Sequence, residues 1–226
     1  FDYTWLVSAV ADLVASADRL GKDIDLVVIS TCLPGTYRER IEPLLSLSGH
    51  VSYFYNPFFI AMGTVLEDFL SPEFVLLGAD GDSSRITDFY RTLHDRPVLE
   101  TDITTAEGIK VSYNTFITMK TVLANTWGEL SEKLGMNFDD IFRAWSLSTE
   151  RLLSPRYLRS GMGDGGGCHP RDNIALSWLA KKTSLSHNIF EDLMAAREDH
   201  AEWLAELAVD TAFTSGLNLT ILGRAF

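Results

Sequence analysis

The stretch Asp25-Leu26-Val27-Val28-Ile29-Ser30, running on into Thr31-Cys32-Leu33-Pro34-Gly35-Thr36, decides the fold. A short unbroken apolar run is the signature of a strand buried on both faces, as in sheets covered by helices. Pro34 and Gly35 end the run in a turn,. That turn lies at a carboxyl edge, where open α/β sheets bind their ligands. Upstream, Leu6, Ala9, Val10, Leu13 and Val14 recur at helical spacing over 5–20, and Gly21 stops the pattern,. Downstream the residues predict a helix over 36–47, a strand over 51–55 and a short helix near 59–70. A strand over 74–78, a helix over 83–94 and a strand over 97–100 follow. Alternation of this kind with short loops predicts an α/β layer around a parallel sheet.

Beyond about residue 102 the character changes. One helical pattern runs from 104 to 134 and a second from 138 to 145. A glycine-rich loop at 161–167 precedes helices over 171–182 and 185–213, and a buried strand reappears only at 218–222. This is an all-helical domain. A helix of about thirty residues, apolar all round, has to be covered. Its cover is either a second subunit or the rest of its own. The opening at Phe1 and the strand-like end both read as cuts in a longer chain.

Composition narrows the function. With 46% hydrophobic and 22% charged residues the chain can bury a core,. A net charge of -12 argues against nucleic acid and anionic membranes as partners, since both select a basic face,. Two distant cysteines make neither a disulfide framework nor a cysteine metal site, which points to a reducing cytoplasm,. Histidines 50, 94, 187 and 200 show no ligand spacing, so no metal is expected. No apolar run approaches the length of a membrane span,.

The densest chemistry lies in Gly161-Met162-Gly163-Asp164-Gly165-Gly166-Gly167-Cys168-His169-Pro170-Arg171-Asp172. Glycines let a backbone approach a ligand, and Pro170 suits a helix start,. Free amides and the helix dipole at such a start favour a thiolate, and Arg171 adds positive charge. Cys168 is therefore a candidate nucleophile, with an incidental thiol in a loose loop as the alternative. His169 is either a general acid or base or a loop residue facing water. Lys110 and Asn114 stand four apart on the long helix and share a face,. Together they could hold a water or an oxyanion, or form part of a solvated face. Thr31 can offer its hydroxyl at the sheet edge, although a plain strand-to-helix turn reads the same way.

In order, these pieces resemble the UDP-glucose/GDP-mannose dehydrogenase family. Ser30 to Thr36 matches its Ser-Thr-Val-x-Pro-Gly-Thr turn, with Cys32 in the valine place. Ala106, Glu107, Lys110 and Asn114 match its Ala-Glu-x-x-Lys-x-x-x-Asn helix. Gly163 to Asp172 loosely matches Gly-Phe-Gly-Gly-x-Cys-x-x-Lys-Asp, and Leu222 to Phe226 resembles the first strand of its C-terminal domain. The resemblance implies the second half of a Rossmann-like, NAD-binding sheet over 1–102 and a helical central, dimerising domain over 103–214. It implies the start of a nucleotide-sugar domain over 215–226. The glycine fingerprint of the dinucleotide fold is absent from the chain and is expected upstream of it.

The activity implied is oxidation of a nucleotide-sugar C6 alcohol to a carboxylate by two NAD-dependent hydride transfers, through a Cys168 thiohemiacetal and thioester. Lys110 and Asn114 would stabilise the oxyanion, Asp172 would orient or accept a proton, and Thr31 would contact cofactor or water. Ser30, Thr31 and Arg171 are the implied cofactor contacts. Lys110, Asn114, Arg151, Tyr157 and Gly165 are the implied substrate contacts, with Arg151 reaching into a neighbouring subunit of a homodimer.

The departures are specific. Phe58 replaces the family's acid/base glutamate in Asn-Pro-Glu-Phe, Met62 replaces a second glutamate, Asp164 a loop phenylalanine and Arg171 a lysine. They imply a divergent branch with a different substrate or chemistry. Two other readings compete: a β-hydroxyacid dehydrogenase of the 6-phosphogluconate type, which would use Lys110 without Cys168, and a helical dimerisation piece without full activity.

Overall fold

The structure is a computed structural model and describes residues 2–161, 163 and 167–220. It divides into two compact units, Phe1–Thr118 and Met119–Phe226.

The first unit opens with helix α1 (Thr4–Leu20), which turns its stripe of Val10, Val14 and Ala17 inward. Gly21 ends it at φ 57, and its N–H reaches back to the carbonyls of Ala17 and Asp18, the usual way a glycine closes a helix. Strand β1 (Ile24–Val28) follows, then a π-helical turn (Tyr37–Ile41) running into α2 (Glu42–Leu45). Pro43 has no N–H to donate, so the register of the helix changes beside it,. Next come β2 (Val51–Tyr55), α3 (Val65–Leu70), β3 (Val75–Gly78), α4 (Ser84–Arg91) and β4 (Val98–Thr101).

The strands form one four-stranded sheet in the order β1-β2-β3-β4. The expected parallel sheet forms, with one antiparallel junction in it. β1–β2 and β3–β4 are parallel, whereas β2 and β3 are antiparallel and meet at a single pair, Tyr55 with Gly78. A parallel neighbour needs a crossover long enough to carry the chain back along the strand. Instead of a helix filling 59–70, only α3 forms, six residues long, and spans about 9 Å at 1.5 Å per residue. Pro57, and Gly63 at φ 109, keep 56–64 out of helical geometry.

One consequence of the register positions everything that follows. Val28 pairs with Tyr55, Tyr55 with Gly78, and Gly78 with Thr101. These are the last residues of all four strands. The carboxyl ends therefore meet in one row. The 30–36 turn, the Asn56–Phe59 segment and the start of the long helix all leave from it.

That helix, α5 (Ile103–Leu134), is 32 residues long. Asp102 caps it, accepting from the Thr105 N–H at 2.9 Å and the Thr105 hydroxyl at 2.6 Å,. Its first turns pack on the sheet: Ile103 and Ala106 are fully buried in a core with Val10, Val28, Cys32, Tyr53, Tyr55 and Leu76. A β-carbon added at Gly78 would lie 2.7 Å from the Ala106 Cβ and 3.1 Å from the Ile103 Cα. Glycine is what lets α5 come this close.

The second unit continues α5 and adds α6 (Phe138–Leu147), α7 (Cys168–Lys182) and α8 (Ile189–Ser215). Asn137 and Asn188 cap α6 and α8 by accepting the N–H groups of Asp139 and Glu191. Its buried core is small, Leu130, Ala180 and Phe190, with Trp127, Leu176, Leu185 and Ile189 packed against it. The expected strand over 218–222 is not seen over 217–220, which carry no regular structure, and 221–226 lie outside the described residues. Among the described residues, no helix is long and apolar enough to cross a membrane.

Candidate active site

The face of α5 that meets the carboxyl row reads Ile103, Ala106, Glu107, Lys110, Asn114, with side chains spaced three and four apart on one side of the helix,. The first two fill the core. The next three are polar.

Glu107 is fully buried. Its carboxylate accepts the N–H of Gly35 at 2.7 Å and of Tyr37 at 2.8 Å. Burial pushes this carboxyl above the usual range, and the amides of the turn pull back against that,. Two tyrosines complete the grip, since the Cys32 N–H donates to the Tyr55 hydroxyl at 3.0 Å and the Leu33 N–H to the Tyr3 hydroxyl at 2.8 Å. The Thr36 N–H is taken by the Leu33 carbonyl. The turn is thus pinned by its own amides and leaves the exposed side chains of Ser30 and Thr31 pointing away from the core. Sequence reading had Glu107 only as part of a motif. The available signal was an acid on the apolar face of a helix.

Lys110 is 9% exposed. Its ammonium donates to the Phe58 carbonyl at 2.8 Å and stands 4.9 Å from the centre of the Phe59 ring. Burial makes the charged form harder to hold and lowers its affinity for a proton,. The Phe59 ring is flanked by Tyr113 at 4.5 Å and Phe74 at 5.0 Å between centroids. These groups wall a cleft of about 330 Å³ that Lys110 and Asn114 line together with Asp68 and Glu73. Asn114, one turn along, is exposed.

Phe58 accounts for itself in part. Its backbone carbonyl anchors Lys110 whatever side chain it bears. Its ring packs on Phe69 at 5.4 Å and lines a separate small cavity with Asn56 and Tyr90. Asn56 is itself buried, donating to the Leu76 carbonyl at 2.8 Å and accepting from the Tyr90 hydroxyl. It ties the end of β2 to β3 where the ladder has only one pair.

The remaining residues belong to the second unit. Cys168 is the first residue of α7, with Gly167 before it, and its thiol is exposed. Asp172 lies four residues on and shares its face,. The Asp172 carboxylate is paired with Arg171, at 2.9 and 3.0 Å, so two residues assigned to different tasks hold each other. Both are exposed, and such a pair is worth about 0–1 kcal/mol, so a ligand can break it. His169 is exposed. Arg151 and Tyr157 stand exposed in the turns after α6, Tyr157 at φ 66, a backbone state uncommon for a bulky side chain,. Gly165 and Asp164 lie outside the described residues. The structure thus gathers Lys110 and Asn114 on one cleft, and Cys168 and Asp172 on one helix start.

A mostly parallel sheet whose carboxyl row launches a long helix, followed by a helical unit, defines half of a Rossmann-like domain joined to a helical central domain. Residues 104–198 of the chain match the UDP-glucose/GDP-mannose dehydrogenase family, central domain. It is 27% identical over its whole length to a UDP-glucose 6-dehydrogenase of Rhizobium meliloti (strain 1021), covering 53% of that protein. It is 29% identical over 75% of its length to a GDP-mannose 6-dehydrogenase of Azotobacter vinelandii, covering 40% of that one. In fold it resembles a GDP-mannose dehydrogenase from Pseudomonas aeruginosa solved as a ternary complex. There the TM-score is 0.83 at 24% identity, over 89% of this chain and 48% of that one. The chain spans about half the length of the curated relatives it matches.

Proposed function

We propose that the protein is an NAD-dependent nucleotide-sugar 6-dehydrogenase. The observation that carries this is the desolvated Lys110 one helical turn from Asn114 in a 330 Å³ cleft, within the family-matching segment. In this reading the C6 alcohol loses a hydride and a proton to become an aldehyde, and the Cys168 thiolate adds to its carbon. Lys110 and Asn114 stabilise the oxyanion that forms. Loss of a second hydride gives the thioester. Water then releases the carboxylate and restores the thiolate, with Asp172 handling the proton once its pair with Arg171 opens. Arg151, Tyr157 and Gly165 contact substrate, and Arg151 does so from a neighbouring subunit.

NAD supplies the hydride acceptor when bound. Ser30 and Thr31 fit contacts to it through their hydroxyls. The turn they begin has its amides at Cys32, Leu33, Gly35, Thr36 and Tyr37 already taken. It is therefore not a phosphate cradle, and the pyrophosphate would be held elsewhere in the dinucleotide domain. Arg171 is the third proposed cofactor contact. We assign 1–102 to that domain, 103–214 to the helical central domain and 215–226 to the start of the nucleotide-sugar domain. A reducing cytoplasm suits two free thiols,.

The full chain, given NAD and a panel of nucleotide hexoses, should yield two NADH per sugar oxidised. Cys168→Ser should stop it after the aldehyde. Lys110→Met should lower turnover while leaving the thermal midpoint unchanged or raised at neutral pH. The reason is that a lysine held below its ordinary proton affinity costs stability at every pH below its folded pKa, a cost relieved only as pH climbs toward the unfolded value,. Undiminished turnover in Cys168→Ser would overturn the thioester route and favour the single-step chemistry of a Lys110-dependent hydroxyacid dehydrogenase.

A further inference from the structure

We propose that Glu107 is a positioning residue for hydride transfer, locking the turn that begins at Ser30 and Thr31 to the helix that carries Lys110. This goes beyond the functional reading above and rests on it for the reaction.

The backbone at 35–37 explains why a carboxylate is there. Gly35 at φ 94 is followed by Thr36 at φ -55, ψ -44. The amides of such a left-then-right pair converge into a hollow that binds anions. In this chain the anion is internal. Glu107 reaches in from α5, one oxygen accepting the Gly35 N–H at 2.7 Å and the other the Tyr37 N–H at 2.8 Å.

A carboxylate is an unfavourable way to fill this site. It is fully buried, and burial opposes its charged form,. An apolar side chain would pack here with less loss, as Ile103 and Ala106 do on the same face,. No apolar side chain could accept two amides from a segment seventy residues away. What the charge contributes is therefore position. The Cys32 and Leu33 amides tie the turn to Tyr55 of β2 and to Tyr3 ahead of α1. Glu107 ties it to α5. On that helix Lys110 comes one turn later, about 4.5 Å further along the axis at 1.5 Å per residue. A carbon giving up hydride near Lys110 and a cofactor resting on Ser30 and Thr31 thus take their relative positions through Glu107.

The test uses the full chain with NAD and either UDP-glucose or GDP-mannose, whichever it oxidises. Glu107→Gln keeps the volume but offers one acceptor oxygen and an NH2 group that must face the other amide. It should lower kcat by about ten- to hundredfold, the cost of a displacement of about 1 Å, with the KM for the sugar unchanged. Val14→Ala, a core variant on α1, should lose thermal stability and keep its kcat. Glu107→Ala empties the hollow, and formate should restore its turnover while leaving wild type and Val14→Ala unaffected. Amide hydrogen exchange reads the contact without turnover. The Gly35 and Tyr37 protons, slow in wild type, should exchange faster in Glu107→Gln, with Cys32 and Leu33 still protected. Wild-type kcat in Glu107→Gln, or an equal fall in Val14→Ala at matched thermal loss, would overturn the proposal. So would a folded Glu107→Ala that does not respond to formate; if that variant does not fold, Glu107→Gln decides alone. A wild type that oxidises neither sugar nucleotide would bring down the dehydrogenase reading instead, and the exchange rates would still show whether Glu107 holds the turn.

Discussion

The two cysteines of this chain illustrate how far an environment, rather than a residue type, sets reactivity. Cys32 is 1% exposed, its proton affinity pushed up to about 12 by burial and by the nearby Glu107 carboxylate,. Cys168 stands in water at the start of a fifteen-residue helix. In the native protein at neutral pH, iodoacetamide should modify Cys168 and leave Cys32 untouched until denaturant is added. Peptide mapping after timed quenching measures this, and equal labelling of both thiols would remove the nucleophile assignment. Glu107 makes the same point for acids. The spacing of its motif could be read from the chain, but not that its oxygens would be spent on the amides of a turn seventy residues away.

Among the elements, the contact of α5 with β3 sets the position of the whole cleft. The helix can place Lys110 over Phe59 only because Ile103 and Ala106 lie directly on Gly78. Gly78→Ala should destabilise the protein by about 1–3 kcal/mol, the common cost of overpacking a filled site. Ala106→Gly in the same chain should restore part of that loss, since the Ala106 methyl is the nearest obstacle. It should not restore all of it, because the Ile103 backbone also stands in the way. Urea titration of the two single variants and the double variant would measure the coupling, and strict additivity would show that the two residues do not share this contact. The helices and strands near α5 were legible from periodicity alone. The antiparallel β2–β3 junction was not, since it depends on how short α3 turned out to be.

At the scale of the whole molecule, the second unit buries little of its apolar surface. Phe213 is 87% exposed, Leu147 75%, Trp178 62%, Leu158 61% and Leu152 60%. Exposed apolar area on this scale marks a surface made to be covered. We propose that a second copy of the chain covers it. Light scattering of the full chain at micromolar concentration should give twice the monomer mass, and Trp178→Glu together with Phe213→Glu should shift the mass toward the monomer. A wild-type monomer would remove the dimer and, with it, any role for Arg151 in a neighbour's site.

What the sequence determined by itself was local. Apolar periodicity, turn residues and caps act over a few neighbours, so the alternating first half, the 32-residue helix and the Lys110–Asn114 face were readable in order,. So was the resemblance to the family, because its motifs are local too. Long-range packing decided the rest: the single row of strand ends, the burial of Lys110 against Phe58 and Phe59, and the commitment of Asp68 to the turn before α3. Such facts depend on which distant segments approach closely enough to displace water. In this chain one glycine, Gly78, allows the approach that brings them together.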